Sequence, residues 1–141
     1  MSLHLRIATL ERTVFDEDVD IVMLPGEAGE LGVLSGHIPL ITPLILGEIV
    51  AKKNGEEFVM AVSGGMAEVN QGGVLVLADQ AERAEEIDEH IAETARAKAE
   101  EIMKEKRSDE EGFAEAYAEL QKSLLRLKVA RRKRKEHISN I

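Results

Sequence analysis

The sequence predicts a β + α chain: an N-terminal antiparallel β-sandwich or barrel over residues 1–82, then a C-terminal antiparallel two-helix hairpin over residues 83–141. Three observations carry this reading. Ten of the eleven glycines lie between Gly26 and Gly73 and all three prolines between Pro25 and Pro43, so the turn-formers are confined to the first half. Within that half, short β-branched and aliphatic runs recur between turn residues with no helical stretch among them. After Asp79 the chain consists largely of Ala, Glu, Lys, Arg and Leu with one glycine, the composition of long helices.

Leu3 to Thr9 sets Leu3, Leu5 and Ile7 against His4, Arg6 and Ala8 at period two, the signature of a half-buried strand. Val19 to Leu24, Glu48 to Lys52, Phe58 to Val62 and Val74 to Leu77 are the other predicted strands. Asn54-Gly55 tolerates positive φ at both central positions of a type I′ turn, which makes Glu48 to Val62 a hairpin. Gly64-Gly65 and Gly72-Gly73 predict further tight turns or bulges. The acidic clusters Asp16 to Asp18 and Glu56-Glu57 are assigned to turns as solvated charge. In the second half, Ile87, Ile91, Thr94 or Ala95, Ala99, Ile102 and Met103 form one helical stripe. Phe113, Ala116, Tyr117, Leu120, Leu124, Leu127 and Ala130 form another. Ser108 to Glu111 matches a capping box with Ser108 as the cap, and the break from Arg107 to Asp109 leaves room only for a turn.

Composition excludes several function classes. With 44% hydrophobic and 32% charged residues, a 141-residue chain can bury a core and remain soluble. No cysteine is present, which removes disulfides, thiolate metal sites and cysteine nucleophiles. Aromatics make up 3% with no Trp, too few for the stacking platforms of a single-strand nucleic-acid binder. His4, His37, His90 and His137 show no metal-binding spacing, and Ser35 near His37 lacks the geometry of a nucleophile and its base. The run PGEAGELG from Pro25 lacks the Lys-Ser/Thr of a phosphate-binding loop. The apolar run Ile38 to Leu46 is broken by Pro39 and Pro43, so no membrane crossing is expected, and the first residues lack a basic segment followed by an apolar stretch, so no secretory signal is expected. The net charge is −9, but residues 121–141 carry eight basic groups and one acidic group. The residues alone thus give a non-enzymatic sandwich carrying a helical hairpin; the competing readings are a nucleotide-sensing hairpin and a basic-tailed nucleic-acid adaptor, and the acidic body opposes the last.

The run LPGEAGELGVLSGHIPLITPLILGEI from Leu24 resembles the hallmark of the epsilon subunit of F-type ATP synthases: Pro-Gly, a spaced Gly-x-x-Gly, Gly-His-x-Pro-Leu and Thr-x-Leu. The run VSGGMAEVNQGGVLVLADQAERAEEID from Val62 resembles the same family, with its Ser-Gly-Gly turn, and Leu10 departs from it where many members have a turn residue. The resemblance covers the entire chain. It implies a non-catalytic rotor subunit without a cofactor, peripheral on the cytoplasmic face of the bacterial membrane. Its implied partners are the gamma subunit and the c ring, and the beta and alpha subunits when the helices extend, with no nucleic acid and no membrane insertion. By motif position, Glu30, Leu31 and Gly32 form a loop facing the c ring, and His37 lies near gamma or the ring. Lys122, Arg126, Arg131, Arg132, Lys133, Arg134 and Lys135 are the regulatory basic segment, facing an acidic part of beta. Some members bind ATP through Ile/Leu-Asp-x-x-Arg-Ala. Here Asp88 is kept but Ile91 replaces the arginine, and Lys98 and Lys122 lack a guanidinium fork, so nucleotide binding is expected to be weak or absent.

Overall fold

The computed structural model describes residues 2–139, with side chains described as far as Arg132. The chain forms two compact units, Met1–Ala84 and Glu85–Ile141. The first holds ten strands among the described residues: β1 (Leu3–Ala8), β2 (Thr13–Val19), β3 (Ile21–Gly26), β4 (Gly29–Leu34), β5 (Leu40–Leu44), β6 (Gly47–Lys53), β7 (Glu56–Val62), β8 (Gly65–Asn70), β9 (Gly73–Ala78) and β10 (Ala81–Arg83).

The strands run in the order β10-β7-β6-β3-β5-β8-β9-β1-β2, with β4 paired to β3. β3 is the branch point. Its first residues pair with β6 and its last, Gly26, with Leu44 of β5, so the sheet folds over itself there. The inner faces meet in one cluster: Leu3, Leu5 and Ile7 of β1 and Val74 and Val76 of β9, with Val22 and Leu24 of β3, Ile49 of β6 and Met60 of β7. Along β1 and β8 the inward positions alternate with outward ones, as the pleat demands, whereas β6 and β7 bury consecutive residues on both faces.

Several expectations need correction. Asp16, Glu17 and Asp18 lie in β2, where Val14, Phe15 and Val19 supply the apolar anchors. A register shift after Ile7 lets the consecutive Val14 and Phe15 both be buried. Glu56 and Glu57 open β7, paired with Lys53 and Lys52 of β6, and such opposite-charge cross-strand pairs favour a strand over a solvated turn. The glycine-rich run from Pro25 is the β3–β4 hairpin, closed by the Gly26–Gly29 pair. The sheet is also not wholly antiparallel, because β1 and β9 are parallel. The Asn54-Gly55 turn is as expected, with φ of 52° and 81°.

In the second unit, a 3-10 turn at Ala84–Glu86 precedes α1 (Glu89–Glu105) and α2 (Glu110–Ser139). Seventeen and thirty residues correspond to about 26 and 45 Å. The α2 cap is Asp109 rather than Ser108: its carboxylate accepts the Gly112 N–H at 3.3 Å, and its carbonyl accepts the Phe113 N–H. Both residue types cap well, and the turn in which the Asp109 N–H reaches the Lys106 carbonyl selects the second. Of the predicted stripes, Ile87, Ala99, Ala116, Leu127 and Ala130 are buried as expected, but Ala92 and Ser123 are buried in place of their neighbours Ile91 and Leu124. Ala92 and Ala99 of α1 and Ala116, Ser123, Leu127, Val129 and Ala130 of α2 are buried, while Ile91, Leu124 and Tyr117 are about half exposed and Phe113 and Thr94 are also exposed.

Two outcomes test this architecture. Gly73 has φ 139°, and a Cβ there would stand 2.1 Å from the His4 carbonyl oxygen of the parallel neighbour. Gly73→Ala is therefore expected to lower unfolding free energy by about 3 kcal/mol in denaturant titration. A chain ending at Ala84, which keeps β10 paired to β7, is expected to melt cooperatively; a non-cooperative melt would make the helices part of the sandwich core.

Candidate partner-binding faces

The outward side chains of β5, β8, β9, β1 and β2 line up in rows. Pro43, Met66, Leu77 and Ala8 are successive lateral neighbours, and the next row reads Ile41, Glu68, Leu75, Arg6 and Asp16. The third runs Asn70, Gly73, His4 and Asp18. The face is thus apolar at one end and charged at the other. Ile41, Met66 and Leu77 are 66%, 43% and 57% exposed, a cluster of large apolar side chains in water. Such a patch with a polar border has the make-up of a protein interface. The sequence carried a signal for it: Val74 to Ala78 is apolar without alternation, so both faces of β9 favour cover.

At the charged end, His4 bridges β1 to β2. Its Nδ1–H donates to Asp18 Oδ1 at 2.7 Å and its Nε2–H donates to Asp16. Donation from both nitrogens requires the imidazolium, and the bonds to Asp18 and then Asp16 raise the His4 pKa above 6.5.

The residues singled out by motif do not converge. Glu30 sits in β4 opposite Pro25, not in a loop, because β4 pairs with β3 along its whole length. Leu31 is half-buried and packs against the core. Gly32 faces Met23: an added Cβ would lie 3.1 Å from its sulfur, so packing explains this glycine. His37 lies beyond the other end of β4, its Nδ1 2.8 Å from the Ile38 carbonyl oxygen. β4 therefore separates Glu30 from His37.

On the hairpin, Asp88 caps α1, accepting the N–H groups of His90 and Ile91 at 2.9 and 3.2 Å. Lys98 is ten residues along the same helix, about 15 Å away, and lines a 560 Å³ groove with Ala95, Ala99 and Ala116. Asp88 and Lys98 therefore do not form one pocket. Lys122 Nζ is 3.8 Å from Glu119 on its own helix, and Arg126 and Arg132 are half-buried. Arg131 reaches Glu89 and Glu93 of α1 at 3.3 and 3.6 Å, contacts that require the helices to run antiparallel. Lys133, Arg134 and Lys135 have side chains outside the described residues. Among the described residues no helix is long and apolar enough to cross a membrane.

The beta-sandwich domain of the ATP synthase, Delta/Epsilon chain family matches residues 2–84, and its long alpha-helix domain matches residues 85–131. The chain is 48% identical to an ATP synthase epsilon chain of Dehalococcoides mccartyi over 133 residues, 94% of this chain and 95% of the relative. It is 45% identical to that of Herpetosiphon aurantiacus, with 95% and 98% covered. Among solved structures it resembles a chain of the Euglena gracilis mitochondrial ATP synthase, OSCP/F1/c-ring in rotational state 1. That match has a TM-score of 0.73 and 25% identity, covering 85% of this chain and 76% of the other.

The outward rows predict that Met66→Glu, Leu77→Glu and Leu124→Glu each change unfolding free energy by no more than about 0.5 kcal/mol, whereas Val76→Glu costs several kcal/mol. Urea titration followed by circular dichroism distinguishes the two classes. A raised His4 pKa adds stability that is full below about pH 6.5 and is lost as pH rises through the folded value. The melting-temperature gap between the parent and His4→Asn is thus expected to be largest near pH 5.5 and to vanish once the pH exceeds the raised folded pKa of His4. A gap independent of pH would show that the ring acts by packing alone.

Proposed function

The chain belongs to the ATP synthase delta/epsilon chain family, whose epsilon chain is non-catalytic, and on that footing we propose that its sandwich couples the gamma subunit to the c ring while its helices regulate ATP hydrolysis. The observation that carries the coupling role is the exposed apolar row of Pro43, Met66 and Leu77, bordered by Glu68 and Arg6. A rotor connection must hold under torque. An apolar centre supplies area-dependent adhesion, a charged border supplies orientation, and a close-packed sandwich beneath resists shear. We assign this face to gamma. The β3–β4 hairpin with Glu27 and Glu30 is assigned to the c ring, which sets the chain peripherally on the cytoplasmic side of a bacterial membrane.

The hairpin suits regulation because it buries few large side chains, Leu127 and Val129 of α2, and otherwise small ones. Ala92, Ala99 and Ala116 each bury little apolar area, so separating the helices forfeits less than opening the sandwich. An extended hairpin is populated only if another surface covers what it exposes. Gamma supplies that surface in this reading, and the basic segment of α2 meets an acidic region of beta.

Co-purification with gamma tests the coupling role. Met66→Glu with Leu77→Glu is expected to weaken capture by gamma at least tenfold while the fold is kept, and undiminished capture would remove this face from the interface. Replacing Lys122, Arg126 and Arg132 with Ala should relieve inhibition of hydrolysis in a reconstituted complex and leave gamma binding intact. That relief should shrink at high salt, because exposed pairs are screened beyond about 10 Å at 0.1 M.

A further inference from the structure

We propose that Arg131 is a latch for the closed hairpin, held by a two-carboxylate clamp on α1, so that it opposes extension of the helices rather than promoting it. Glu89 and Glu93 are four residues apart on α1, which puts both carboxylates on one face. The Arg131 guanidinium spans them, with Nε 3.3 Å from Glu89 Oε1 and Nη2 3.6 Å from Glu93 Oε2. A planar fork with donors on two edges can serve two carboxylates at once, and a lysine ammonium does so less well.

Glu93 is itself held in place. Its other oxygen, Oε1, accepts from Arg96 Nε at 2.8 Å, while Arg96 Nη1 reaches Glu100 at 2.8 Å. The bonds to Arg96 and the charge of Arg131 keep the Glu93 carboxyl below the usual carboxylate range, consistent with a carboxylate that stays ionised for the latch.

The direction of the effect follows from which pairs cross between helices. The Arg96 pairs with Glu93 and Glu100 lie within α1, and the Lys122–Glu119 pair lies within α2, so both survive when the helices separate. The Arg131 pairs cross between the helices, to Glu89 at 42 positions' separation and to Glu93 four positions less, and are broken by separation. Only an interaction that differs between two states shifts their balance, so Arg131 biases toward closure and Lys122 does not. Where this bears on hydrolysis it rests on the regulatory reading above: an acidic partner surface must take Arg131 out of the clamp before using it.

The test uses the full chain without other subunits, so its outcome does not depend on that reading. Amide hydrogen exchange of α1 and α2 is measured at low salt. Arg131→Ala is expected to accelerate exchange about threefold, the scale of two exposed ion pairs, and Lys122→Ala to leave it unchanged. In a Glu89→Gln, Glu93→Gln background the Arg131→Ala acceleration should disappear, because the clamp is already gone. At 1 M salt the parent and Arg131→Ala should converge. Unchanged exchange in Arg131→Ala at low salt would falsify the latch. An acceleration that persists in the double-Gln background would assign the effect to the helix rather than to the clamp, and would overturn it equally.

Discussion

The sheet of the first unit branches at β3, and most of the molecule's surface chemistry depends on that strand's register. Val22 and Leu24 point into the core from β3, while the strand bonds to β6 at its start, to β4 throughout and to β5 at Gly26. With a side-chain period of two, a one-residue slip of β3 would turn both residues to solvent and carry its neighbours with it. The same register, passed through β5, β8, β9 and β1, makes Pro43, Met66, Leu77 and Ala8 lateral neighbours on the outside. This exposed apolar row is thus a by-product of core packing.

The two units differ in how they are held. The sandwich closes over Leu, Ile, Val, Met and Phe side chains, each worth about 1.5–3 kcal/mol on burial, and Phe15 adds a tilted contact with Phe58 at 5.5 Å and a guanidinium over its ring from Arg83. The hairpin buries fewer such residues, Leu127 and Val129 of α2 beside four alanines and one serine. The two units therefore differ in the side-chain sizes that hold them. Where apolar area is small, exposed ion pairs become a larger share of what holds the closed form.

Charge carries different information in the two units. On the sandwich, His4 between Asp16 and Asp18 and the lysines opposite Glu56 and Glu57 are cross-strand pairs that fix register. On the hairpin, the cations that look alike in the sequence differ in consequence, because Lys122 is paired along its own helix and Arg131 across to the other.

The sequence by itself determined the features governed by local geometry. The division into a turn-rich β half and a helical half, the inward set Leu3, Leu5 and Ile7, and the positive-φ turn at Asn54-Gly55 were all legible, because backbone sterics and the strand period are properties of neighbouring residues. The family hallmarks at Leu24 and Val62 were legible for the same reason, as contiguous strings. Tertiary structure decided what needs a lateral or opposing neighbour. Asp16 to Asp18 became a strand because β1 offered a partner, and Glu30 was parted from His37 because β4 zips to β3. The seam chose Ala92 and Ser123 over Ile91 and Leu124 because a helical stripe read at 100° per residue is ambiguous by one position, and close helix approach selects the smaller side chain.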